Sequence, residues 1–217
     1  MASEAPPPSS GMSFRSSGPT YITTIAVGHG LKHWYLAAFA VFLPLIVDEY
    51  ELTAAGITAV GLVRQLTGGV PNFFVGWASD RLRNYWHLLL PASFFGSALF
   101  MMAAGLTPWL WPLIGLATLS GVSASFWHPP AISMLSTRFP GRKGMAIAFH
   151  GSGSGAGEAL GPIVVGFILV TWLSDDWRLY TVLSFIPAVF LALILYWLLV
   201  GAKNPEPEAP ATRPARV

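Results

Sequence analysis

Six apolar stretches, each long enough to cross a bilayer, fill almost the whole chain between Thr23 and Val200. A hydrocarbon core about 30 Å thick takes about 20 helical residues to span. The stretches cover residues 23–47, 53–77, 86–106, 109–135, 144–172 and 179–200. Charged residues make up 10% of the chain against 53% hydrophobic ones, a balance outside that of a soluble domain. Alternating short strands of the outer-membrane barrel type are absent, so helices must satisfy the backbone in lipid. The expected fold class is all-α, a polytopic membrane protein with six transmembrane helices.

Other function classes fall away on composition. The chain has no Cys, which removes disulfides, thiolate metal sites and a Cys nucleophile. A net charge of +2 gives no footprint for nucleic acid. The first apolar stretch is too long for a signal-peptide core and is expected to be retained as a helix. Residues 1–18, rich in Pro, Ser and Gly, and 203–217, rich in Pro, Glu and Ala, read as disordered tails around a domain at 19–202.

The charges sort by loop. With the N-terminus inside, Arg15, Arg81, Arg83, Arg138, Arg142, Lys143, Lys203, Arg213 and Arg216 fall on the cytoplasmic side. The external loops then hold Asp48, Glu49, Glu51, Asp175 and Asp176, with Arg178 as their one basic residue. Such Lys/Arg asymmetry sets topology, so both termini are expected in the cytoplasm of an inner or plasma-membrane protein.

Two segments carry motifs. Gly76-Trp77-Ala78-Ser79-Asp80-Arg81-Leu82-Arg83 follows the second stretch. An Asp-Arg pair there can form a switchable contact between helices, or can be an ordinary polar turn. The fifth stretch carries Gly153, Gly157 and Gly161 at spacing four, followed by Pro162. Small residues at that spacing let helices approach closely, and Pro162 removes a backbone donor. The pattern serves a sliding helix and static packing equally well.

Together these segments resemble the major facilitator superfamily. Gly76 to Arg81 is similar to that superfamily's loop signature between its second and third helices. Gly157-x-x-x-Gly161-Pro162 resembles its glycine-proline motif, and Asp176-Trp177-Arg178-Leu179-Tyr180 its helix-6 opening. Gly28-His29, Gln65-Leu66-Thr67, Phe126-Trp127-His128-Pro129 and Gly141 to Ala146 are similar to the fosmidomycin-resistance-type branch. Arg83, Asn84 and Pro130 depart from the usual patterns, so drug export does not follow.

The resemblance covers residues 23–200 and corresponds to the N-terminal six-helix half of a twelve-helix fold. It implies two three-helix inverted repeats and a gating role for Gly76, Asp80, Arg81, Gly157, Gly161 and Pro162. A second copy, or a separate second half, would complete a central cavity; a fragment is the remaining reading.

Ionisable residues inside a membrane usually face a cavity or one another. The first stretch holds His29, Lys32 and His33 at i, i+3 and i+4; the second holds Arg64 and Gln65; the fourth holds His128; the fifth holds His150 and Glu158. The third and sixth stretches hold none in their interiors. His29, Lys32, His33, Arg64, Gln65, His128 and Glu158 are therefore the expected substrate and proton site. Most have a duller role to set beside them. The His29, Lys32 and His33 group also fits a polar patch at the cytoplasmic mouth, and Glu158 a permanent pair with Arg64. His128 also fits carbonyls freed by the prolines, and His150 reads as packing or solvated. Lys32 and Arg64 against Glu158 leave excess positive charge, which tilts the substrate toward an organic anion.

The leading expectation is a proton-coupled secondary transporter, for an anionic or drug-like organic solute, partnered by lipid and a second half. No cofactor, metal or catalytic residue is assigned. Two other classes compete with it. One is a membrane metalloenzyme using His29, His33, His128 and His150, which lacks a His-Glu-x-x-His pattern. The other is a non-transporting accessory subunit.

Overall fold

The computed structural model describes residue 15 and residues 17–200, apart from the side chains of 64–72. The expected tails, apart from Arg15 and residues 17 and 18, lie outside the described residues, as do the side chains of Arg64 and Gln65.

The described chain is all-helical. It contains α1 (Gly18–Glu49), α2 (Ala54–Arg81), α3 (Trp86–Leu106), α4 (Leu110–Ser125), α5 (His128–Arg138), α6 (Lys143–Trp172) and α7 (Trp177–Val200). Ser17 caps α1 by accepting from the Thr20 amide, and Thr53 caps α2 by accepting from that of Gly56. Asp176 does the same at the start of α7, accepting from Leu179 N at 2.8 Å.

Five helical stretches are long and apolar enough to cross a membrane: Gly18–Glu49, Arg83–Leu106, Leu110–Arg138, Pro140–Trp172 and Trp177–Val200. In α2 the described apolar part is the shorter Ala54–Val63. The protein is thus a multi-pass membrane protein.

The fourth stretch departs from the single helix expected at 109–135. It breaks between Ser125 and His128, so that one crossing is built from α4 and α5. The cause is local. Pro129 and Pro130 have no amide to offer the carbonyls of Ser125 and Phe126. The backbone tightens first, with Phe126 N bonding Ser123 O and Trp127 N bonding Ala124 O, both at 3.2 Å. The prolines then sit in the first turn of α5, where their missing donors do no harm.

The closest helix pairs are α1 with α6 and α3 with α7, while α3 also packs on α4 and α4 on α2. The α1–α6 contact is backbone on backbone. A Cβ on Gly153 would overlap the Ala26 carbonyl, one on Gly157 the Gly30 carbonyl, and one on Gly161 would sit 3.1 Å from Trp34 Cα. The spacing-four stripe is therefore used for close approach.

Two apolar cores flank the middle of the bundle. One gathers Tyr21, Ile25, Leu90, Phe94, Trp127 and Met134; the other gathers Phe39, Phe42, Ile46, Leu113, Leu169 and Trp177. Along α1 the polar residues 29–33 lie between them.

Arg178 closes one end. Its guanidinium donates to Gly105 O at 2.8 Å and Thr107 O at 2.6 Å, two carbonyls that the end of α3 leaves without helical donors. It also pairs with Glu49 at 2.7 Å and donates to Tyr50 Oη at 2.7 Å, while Trp177 Nε1 reaches the second Glu49 oxygen at 3.1 Å. The ends of α1, α3 and α7 are thereby tied together.

Candidate functional site

Four of the chain's five histidines meet in one cluster between α1, α5 and α6. His29 and His33 are one turn apart on α1, so their side chains stack along one face. His128 enters at the start of α5, where the helix break redirects the chain. His150 comes from α6, held close by the glycine contacts.

His29 is the hub and is buried. Its Nδ1 lies 2.9 Å from the backbone carbonyl of His150, so that nitrogen carries the hydrogen. Its Nε2 lies 3.0 Å from His128 Nε2 and 3.1 Å from His33 Nε2. The His150 ring lies parallel to it at 3.8 Å, and Trp127 donates from Nε1 to His150 Nε2 at 3.2 Å. Gly28 makes the room: a Cβ there would overlap the Trp127 ring.

The outer end of the cluster is Glu158, whose Oε1 lies 2.6 Å from His33 Nδ1. Glu158 is 60% exposed and His33 17%, so the pair leads from the buried hub to the surface of α6. Lys32 goes the other way. It is 1% exposed, and its ammonium lies 3.4 Å from His128 Nδ1.

The structure thus brings together His29, Lys32, His33, His128 and Glu158 from the expected site. Arg64 and Gln65, and with them the expected Arg64–Glu158 pair, lie outside the described residues. Gly76, Asp80 and Arg81 sit apart at the far end of α2. The Arg81 guanidinium covers the Trp77 ring at 4.5 Å, and a Cβ on Gly76 would meet nothing. Gly157 and Gly161 face α1 rather than the cluster's open side, and Pro162 lies inside α6 without ending it.

His150 and Trp127 join the cluster from outside the expected substrate and proton site. Apart from packing or solvation, His150 figures in the sequence only as a ligand of the competing metalloenzyme, and Trp127 only within the Phe126–Pro129 motif. His150 falls on the same α6 stripe as Gly153, Gly157 and Gly161, a periodicity that places it against α1. Chemically the cluster offers ring nitrogens, an ammonium and a carboxylate. Among the described residues, ligand atoms of His29, His33 and His128 lie within 4.8 Å of one another.

The family model of the Major Facilitator Superfamily matches residues 25–217. The chain is 30% identical over 182 residues to the multidrug resistance protein MdtG of Klebsiella pneumoniae (strain 342), covering 80% of this chain and 42% of that protein. It is 25% identical over 173 residues to the fosmidomycin resistance protein of Escherichia coli (strain K12), with the same shares of 80% and 42% covered. The chain therefore spans less than half the length of the curated relatives it matches. Among solved structures, it resembles a bacterial homolog of the human lysosomal transporter Spinster in an inward-facing, unoccupied conformation. That match has a TM-score of 0.74 at 16% identity and covers 91% of this chain and 47% of the other, a likeness of fold alone.

Proposed function

The chain belongs to the major facilitator superfamily, and from that premise we propose that it forms one half of a secondary active transporter for small organic solutes. In this reading six helices form two inverted three-helix repeats, with both termini in the cytoplasm of an inner or plasma membrane. A second copy or a second six-helix half completes the cavity, and the proton gradient drives transport. The cargo is an anionic or drug-like solute and meets His29, Lys32, His33, Arg64, Gln65, His128 and Glu158. No catalytic step is assigned to the chain.

One observation carries this reading: α6 has two unlike exposed faces. Phe149, Leu160, Ile163 and Phe167 form an apolar face suited to lipid. Gly151, Gly155 and Glu158, on the opposite side of the buried stripe, are also exposed. A Cβ on either of these two glycines would meet nothing. A carboxylate on bare helix backbone is a poor neighbour for hydrocarbon and a good one for a watery cavity or a partner helix. The buried histidine cluster opens onto that second face through Glu158.

Native mass spectrometry of the protein in mild detergent, paired with uptake into liposomes under an imposed pH gradient, tests the proposal. A dimer of the 23.3 kDa chain, or a co-purified second half, is expected. Uptake should collapse with an uncoupler and in Glu158→Gln while assembly is unchanged. A monomer without uptake, or a Glu158→Gln defect confined to abundance, overturns it in favour of an accessory subunit.

A further inference from the structure

We propose that His29, His33 and His128 form a binding site for a divalent first-row transition-metal ion, of which Zn2+ is the natural probe. The site stands on its own geometry and does not depend on the transport reading.

The first ground is convergence. His29 Nε2 lies 3.0 Å from His128 Nε2 and 3.1 Å from His33 Nε2. Three imidazole nitrogens bound tetrahedrally at about 2.0–2.1 Å from Zn2+ stand about 3.3 Å apart. The two contacts of His29 Nε2 are within a few tenths of an ångström of that, and the ligand atoms of all three residues lie within 4.8 Å of one another, so side-chain adjustment at His33 and His128 closes the triangle.

The second ground is where the ring hydrogens are. His29 Nδ1 faces the His150 carbonyl at 2.9 Å, and His33 Nδ1 faces the Glu158 carboxylate at 2.6 Å. Both Nδ1 atoms act as donors, which leaves two bare Nε2 lone pairs confronting each other. Two lone pairs at that distance repel unless a cation lies between them. Carbonyl and carboxylate partners on Nδ1 are also the outer contacts that orient metal-bound histidines. Without the ion, His128 Nε2 donates its hydrogen to the His29 lone pair, and the His33 lone pair still faces His29 Nε2 at 3.1 Å.

His150 stands outside the ligand set because its Nε2 already accepts from Trp127; it is the floor on which His29 stacks. Three protein nitrogens leave a fourth position for water or an anion, and imidazole donors favour the zinc, copper, nickel and cobalt group over magnesium or calcium. Lys32 opposes the ion. Its ammonium lies against His128 Nδ1 at 3.4 Å, the contact that turns the His128 hydrogen toward Nε2. Metal entry therefore has to displace Lys32.

The test uses the full chain in detergent, without a polyhistidine tag and stripped of metal, titrated calorimetrically with Zn2+ at fixed pH. Cobalt provides an optical readout of coordination number. One ion per chain is expected, with the intense visible bands of four- or five-coordinate Co2+. His33→Gln and His128→Gln should each weaken binding at least about 100-fold, and Glu158→Gln about 10-fold, the range typical of a lost outer contact. Lys32→Met should bind more tightly than wild type, and His87→Gln, altering the one histidine outside the cluster, should bind as wild type does. Absence of saturable binding overturns the site. So does binding that survives both His33→Gln and His128→Gln, or that falls equally in His87→Gln. The Lys32 and Glu158 variants keep the test decisive should a histidine variant fail to fold.

Discussion

His29 lies face to face with His150, their ring centroids 3.8 Å apart and their planes within 1° of parallel. The same pair is joined a second time, through His29 Nδ1 and the His150 carbonyl at 2.9 Å. Trp127 fixes the far side of the stack by donating to His150 Nε2. Helices α1 and α6 and the kink between α4 and α5 thus meet at one buried junction. Trp127→Phe loses the donor and also the outer indole edge that packs on Gly28, leaving a cavity at a fully buried site. It should cost about 2–3 kcal/mol, read as a lower melting temperature in detergent.

The glycine stripe gives a sharper contrast. Gly157→Val forces a side chain into the Gly30 carbonyl and must drive α1 from α6; a loss of about 1–3 kcal/mol or more is expected. Gly155→Ala, two residues away on the open face, should leave the melting temperature unchanged or raise it slightly, because its Cβ meets nothing and Ala favours helix. Equal effects at both positions would show that the α1–α6 contact is looser than described.

Much of this was legible beforehand, for physical reasons. Lipid allows few backbone solutions, so long apolar runs translate almost directly into helices such as α3 and α7. Charge scarcity likewise made His29, Lys32, His33, His128 and Glu158 conspicuous. Spacing along one helix is readable, but distance between helices is not. Hence both Glu158 and His33 are expected in the site, but their pairing with each other has no counterpart in the sequence. His150 lies near an end of its apolar stretch, where solvation competes with packing, and only the glycine stripe it shares places it against α1. Pro129-Pro130 foreshadows the break before His128, although hydropathy alone runs unbroken across residues 109–135.

The Arg178 clamp should behave as a unit. Arg178→Gln removes the charge-assisted bonds to Glu49 and leaves the Gly105 and Thr107 carbonyls short of donors. Because the guanidinium is a quarter exposed, screening limits the loss to about 1–2 kcal/mol. Glu49→Gln should lose less, since the carbonyl contacts survive. Paired thermal melts of the two variants check the order.

Topology can be checked without background, because the chain contains no Cys. Asp175→Cys should react with a membrane-impermeant maleimide in intact cells, and Arg142→Cys should react only after permeabilisation. Both positions are exposed. The reverse pattern would invert the orientation drawn from the Lys/Arg bias.

Where glycine backbone rests directly on a neighbouring carbonyl, two helices have no slack in which to shear. With Gly153 and Gly157 seated on Ala26 and Gly30, α1 and α6 form a single stiff lever, and the histidine junction rides on it. In the transport reading proposed above, a rearrangement would carry this junction whole, with the grip of its own parts kept.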